Sequence, residues 1–145
     1  MRRLLTLDEL AGFRGRVCSE KAMKAETPTL VVSAGTCGQA SGANDIIRII
    51  KRTILEQDLS DRIDLRITGC HGFCQVEPFI LVEPGRHLYP RLAMEDVPRV
   101  IEATLEGRIE PELIYTDPDT GIAYEVQDEI PFFARQSRTV LAGNQ

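Results

Sequence analysis

Residues 63–74 read Ile63-Asp64-Leu65-Arg66-Ile67-Thr68-Gly69-Cys70-His71-Gly72-Phe73-Cys74. The first half alternates apolar and polar side chains, the period of a strand with one buried face. The second half is a turn that carries two of the chain's four cysteines. Two thiolates on one tetrahedral metal stand roughly 4 Å apart, given metal–sulfur bonds of about 2.3 Å. A fully extended chain would hold Cys70 and Cys74 about 13 Å apart at their α-carbons. For the two thiols to share a metal, the segment has to double back. Gly69 and Gly72 allow this, because glycine takes positive φ without a β-carbon penalty.

Upstream, Leu30-Val31-Val32 is a short, continuous apolar run, the pattern of a central strand buried on both faces. It leads into a small-residue loop from Ser33 to Ala43 that contains Cys37. A helix to about Gln57 follows, with Ala43, Ile46, Ile47, Ile50 and Ile54 along one face. Downstream, Phe79–Val82 reads as a strand and Pro84-Gly85 as a turn, with His87-Leu88-Tyr89 returning as a short edge strand. Glu95 and Asp96 favour a helix start. Val97, Val100, Ile101 and Leu105 share its apolar face, and Gly107 suits its end. The order is β-α-β-β-β-α. A βα crossover makes the first two strands parallel, and the Pro-Gly turn makes the last two antiparallel. An α/β, thioredoxin-like fold with a mixed four-stranded sheet is the economical arrangement.

Three segments follow: 1–27 as an N-terminal helix and linker, 28–108 as the sheet domain, and 109–145 as an extended tail. In the first, Thr6-Leu7-Asp8-Glu9 fits a capping box, with Thr6 as N-cap and Glu9 reaching back. Leu7, Leu10, Ala11, Phe13 and Val17 approximate one apolar side. In the tail, Asp117–Gly121 is a turn and residues 122–126 a strand. Ile130-Pro131-Phe132-Phe133 is an apolar cluster with little apparent core around it.

The chain has 145 residues and a net charge of −5, enough length to bury a core without disulfide staples. No Lys/Arg cluster stands out, which argues against nucleic acid and anionic membrane as partners. No apolar run approaches the roughly 20 residues of a membrane span. Met1-Arg2-Arg3-Leu4-Leu5 resembles the start of a signal peptide, but Asp8 and Glu9 interrupt it too early. The expected location is the cytoplasm. Cysteines in a reducing compartment point to metal, redox chemistry or burial.

The two cysteine loops follow parallel neighbouring strands and so emerge at one sheet edge, where α/β sheets bind ligands. Cys37 can then converge on Cys70 and Cys74 although about 33 residues of sequence separate it from the pair. Buried thiols, a reversible disulfide and zinc are the rival readings of the pair; C-x-x-x-C is not the usual zinc spacing. Cys18 reads as a helix residue. His71 reads as solvent-facing or as a donor to sulfur, and Phe132 and Phe133 read as packing residues. No nucleophile–base pair or catalytic carboxylate pair is apparent.

Val32-Ser33-Ala34-Gly35-Thr36-Cys37, Ser41-Gly42-Ala43, Thr68–Cys74 and Pro78–Val82 together resemble the thioredoxin-like [2Fe-2S] ferredoxin domains. The likeness is greatest to the domain at the N-terminus of the flavin- and NADH-binding subunit of complex-I-like NADH dehydrogenases, NAD-linked or bifurcating hydrogenases and formate dehydrogenases. Glu129–Gln136 through Val140-Leu141 is similar to the lead-in to the flavin domain there, which makes 109–145 a docking arm. The resemblance implies a [2Fe-2S] cluster on four cysteines, two from each loop, passing electrons within an NADH-dependent flavoprotein complex. FMN and NADH would be held by a partner or downstream domain, with other iron–sulfur subunits nearby. Cys70 and Cys74 match the second pair. In the first loop Ser33 occupies the place of one cysteine, and Cys37 lies about one residue from the place of the other. The fourth ligand would be Ser33, through oxygen, or Cys18, if the first helix folds over the loop. Otherwise the domain has lost its cluster and serves as a docking module.

Overall fold

The computed structural model describes residues 3–24 and 26–137. The β1 strand (Thr29–Ser33) lies at the centre of a four-stranded sheet. It pairs in parallel with β2 (Asp64–Thr68) and antiparallel with β3 (Ile80–Glu83), and β4 (His87–Tyr89) completes the other edge. This is the mixed sheet the β-α-β-β-β-α order predicts. Alternate residues of β1 enter opposite cores. Leu30 and Val32 join Ile80 and Val82 against the helical layer, while Val31 joins Leu81 and Leu88 on the far face.

The helical layer is α3 (Ala43–Glu56) and α4 (Val97–Leu105), whose apolar stripes were legible at 3.6-residue spacing. Ala43, Ile46, Ile47 and Ile50 are buried against the sheet. Each such isoleucine contributes about 1.5–3 kcal/mol through its removal from water. Gly107, at φ +68°, ends α4, and the Arg108 N–H reaches the Ala103 carbonyl at 2.9 Å. A short helix, α2 (Thr36–Ala40), occupies part of the loop predicted between Ser33 and Ala43.

Two expectations change. Ile63, Leu65 and Ile67 were expected to share a buried face, but Ile67 is 47% exposed. β2 is an edge strand, and only Ile63 and Leu65 reach the helical core. The tail is also better packed than its sequence suggests. Tyr115, Ile130 and Phe133 cover the far face together with Val31, Phe79 and Leu88. Phe133 is 8% exposed, so it does not project for a partner. The tail is fastened at the β3–β4 turn. Arg86 there donates twice to Asp128 and once to Gln127, and the Gln127 N–H donates to the Arg86 carbonyl. Residues 122–126 contribute β6 (Ala123–Tyr124), which pairs with β5 (Tyr115–Thr116) in a separate two-stranded ribbon. Val140 and Leu141 lie outside the described residues.

The first helix, α1 (Leu7–Lys24), is capped as expected at Thr6, whose hydroxyl accepts the Glu9 N–H at 3.2 Å. Glu9 reaches back one residue further than a capping box requires, to the Leu5 N–H. Its apolar side is not a core face: Leu7 is 84% exposed, and Leu10 and Phe13 are exposed as well. Among the described residues no helix is long and apolar enough to cross a membrane.

Candidate metal centre

Parallel pairing of β1 and β2 puts Ser33 level with Thr68. The Ala34 N–H continues the ladder to the Thr68 carbonyl at 2.9 Å. Both cysteine loops therefore leave the sheet from the same point. Their approach is close. A β-carbon added at Gly35 would stand 2.9 Å from the Cys70 β-carbon and 3.1 Å from its nitrogen. Glycine is required there by contact, not by φ.

In the second loop Cys70 Sγ and Cys74 Sγ lie 3.7 Å apart. That is the separation of two thiolates on one tetrahedral ion, about 3.8 Å for bonds of about 2.3 Å. Gly72 takes φ +91° and donates its N–H to Cys70 Sγ at 3.2 Å, a contact that stabilises an anionic sulfur. Cys74 begins a 3₁₀ turn (Cys74–Val76). Between them Phe73 points inward. Its ring stacks on Phe132 at 4.3 Å and meets Tyr115 and Phe133 at 5.6 Å each. The tail thus pins the cysteine turn to the far-face core. His71 is half-buried, with its Nε2 2.8 Å from the Thr68 hydroxyl and its ring edge-on to Phe79. Its ring is spoken for within the loop.

Cys37 lies in the first turn of α2 and is exposed, as are Cys70 and Cys74. Cys18 is exposed on α1. Ser33 is fully buried, and its hydroxyl donates to Glu77 Oε1 at 2.6 Å. Among the described residues no three His, Cys, Asp or Glu side chains surround a single ion position. A closed zinc site takes four donors round one ion. A [2Fe-2S] group instead divides its four protein ligands between two irons. Cys70 and Cys74 fit one iron. Cys37 sits on the loop held against Cys70 through Gly35.

Glu77 is the site residue that sequence reasoning missed. It is 7% exposed, and its Oε2 is buried without a hydrogen-bond partner among the described residues. The available signal was a lone acid between Val76 and Pro78, three residues after Cys74. Burial pushes its carboxyl above the ordinary range, against the opposing pull of the Ser33 hydroxyl and the Phe79 N–H. The folded chain therefore binds this proton more tightly than the unfolded chain. The resulting stability is complete below the ordinary value of 4.5 and is lost as pH rises through the folded value. Urea titrations of the metal-free chain should show stability falling from weakly acidic toward neutral pH, and Glu77→Gln should flatten that fall. Parallel pH profiles for the two chains would count against the assignment.

No family model matches the chain. The "Ferredoxin, 2Fe-2S" of Clostridium pasteurianum is 27% identical over 63 residues, which are 43% of this chain and 62% of that protein. The match thus spans less than two thirds of that relative. Among solved structures, the wild-type thioredoxin-like [2Fe-2S] ferredoxin from Aquifex aeolicus superposes with a TM-score of 0.57 at 20% identity. It covers 64% of this chain and all of that one. A second structure of a thioredoxin-like [2Fe-2S] ferredoxin from the same organism gives 0.57 at 19%, covering 69% and all of it. The chain has the thioredoxin-like ferredoxin fold.

Proposed function

We propose that this chain carries electrons on a [2Fe-2S] cluster held by Cys70, Cys74 and Cys37. The observation that carries the reading is the Cys70–Cys74 pair. Its sulfurs are 3.7 Å apart, one accepts an amide N–H, and the other cysteine loop is pressed against it through Gly35. The names of the similar ferredoxins agree with it. When bound, such a cluster supplies one-electron redox chemistry. This chain's residues would hold it where the two cysteine loops leave the sheet, with the Gly72 N–H directed at the Cys70 sulfur.

The fourth ligand in this reading is Ser33, through oxygen, or Cys18; the Ser33 hydroxyl donates to Glu77 here, and Cys18 is exposed on α1. Replacing Cys18 with alanine decides between them: loss of iron and visible spectrum after reconstitution makes Cys18 the ligand, and an unchanged spectrum leaves Ser33. We place the carrier in the cytoplasm, as a component of an NADH-dependent flavoprotein oxidoreductase. Residues 28–108 form the cluster domain, and 109–145 lead to a flavin domain or partner subunit. The similarity of Glu129–Gln136 to a flavin-domain lead-in supports this. Phe132 and Phe133 lie in that stretch and pack on Phe73 within the second cysteine loop.

Anaerobic purification with iron, acid-labile sulfide and visible spectroscopy tests the reading. Two irons per chain with bands that bleach on reduction are expected. Colourless protein after attempted reconstitution would sink it. That result would favour the second reading, a Cys70/Cys74 dithiol, which rests on the same short sulfur separation between two exposed thiols.

A further inference from the structure

We propose that Glu77 is a positioning residue that ties the second cysteine loop to the first and so sets where Cys37 stands relative to Cys70 and Cys74. Two segments meet at its carboxyl. Ser33, the last residue of β1, donates to Oε1 at 2.6 Å. Gly38 of α2 packs beside the other oxygen. A β-carbon there would lie 3.2 Å from Glu77 Oε2 and 2.5 Å from the Ser33 carbonyl oxygen.

Gly38 is one residue from Cys37 and buried. Any shift of Glu77 or Ser33 is passed through this contact to the turn that bears Cys37. Gly35, on the other side of Cys37, abuts Cys70. Cys37 is thus braced at both ends, by Gly35 on the second loop's cysteine and by Gly38 on the Ser33–Glu77 pair. A buried carboxyl with one unsatisfied oxygen is a costly feature for a core. An apolar residue would fill the same space without that cost, but it would leave the Ser33 hydroxyl without its acceptor. The carboxyl is the group that joins the loops.

The meaning of this spacing rests on the electron-carrier reading; its existence does not. The test therefore reads spacing in the metal-free, reduced full-length chain. A short bifunctional thiol reagent is added, and peptide mapping by mass spectrometry quantifies links from Cys37 to Cys70 or Cys74. The Cys70–Cys74 link serves as the internal standard for an intact second loop. Glu77→Ala should lower the Cys37 links relative to that standard by about tenfold, as expected for a loss of effective concentration. Ser33→Ala should lower them in the same direction. Glu77→Gln should restore them, because its side-chain oxygen still accepts the Ser33 hydroxyl. If Glu77→Ala fails to fold by circular dichroism, Ser33→Ala and Glu77→Gln decide. An unchanged link ratio in every folded alanine variant overturns the proposal, as does a Gln variant no better than Ser33→Ala. A chain that binds no cluster but shows this pattern refutes the carrier reading and leaves the positioning role standing.

Discussion

Cys70→Ala or Cys74→Ala is expected to give a folded chain that retains no [2Fe-2S] cluster after reconstitution. Both side chains are exposed, so truncation removes little packing and should change stability by no more than about 0.5 kcal/mol. The chemical loss is of a different order. The two sulfurs stand 3.7 Å apart and are suited to the same iron. Removing one leaves that iron a single protein ligand, and no other His, Cys, Asp or Glu among the described residues completes a group of three around an ion. Iron and sulfide should fall to background, while the thermal unfolding midpoint of the metal-free chain stays put. Wild-type iron content in either variant would remove Cys70 and Cys74 from the ligand set. A large fall in metal-free stability would mean that the pair is structural instead.

Phe73→Ala should do the reverse, destabilising the fold while both thiols remain. The ring is 7% exposed and contacts Tyr115, Phe132 and Phe133. Truncating a buried phenylalanine costs about 3–5 kcal/mol, the spread reflecting how far the cavity collapses. Because Phe73 lies between the two cysteines, the loss is also felt at the turn. Release of Phe132 from its stack should expose the segment 130–137, making it more sensitive to limited proteolysis than in the wild-type chain. Chemical denaturation measures the first effect and protease mapping the second. A destabilisation below about 0.5 kcal/mol, the level of a typical surface change, would show that the tail is not held by this ring.

Much of the architecture was present in periodicity. The 3.6-residue stripe from Ala43 to Ile50 and the apolar run at 30–32 describe a helix and a central strand before any partner is known. Each is a local pattern whose cause is local geometry. The parallel relation of β1 and β2 followed from the crossover rule; the register that sets Ser33 level with Thr68 did not. Exit of the two cysteine loops from one end of the sheet was therefore readable without coordinates. Ile67 was misread because alternation describes a strand, not what lies above it; an edge position left its end uncovered. The apolar side of α1 was equally plain and equally uninformative about burial. The segment after Gly107 was underestimated for the opposite reason. Its elements are two to four residues long, too short for a period to show, and their order depends on Arg86, Phe73 and Val31 far away in sequence.

The sequence by itself determined the turn from Thr68 to Cys74, because its glycines and cysteine spacing act within seven residues. It also determined that this turn follows a strand beside the one preceding Cys37. Tertiary structure alone decided what the neighbouring residues do. Ser33 stands where a cysteine would be expected, yet its hydroxyl belongs to Glu77, 44 residues away. Burial is a property of everything packed around a group, so neither the orphaned oxygen of Glu77 nor the contacts of Gly35 and Gly38 have any signature in local sequence. The linking of the two cysteine loops resides in those contacts.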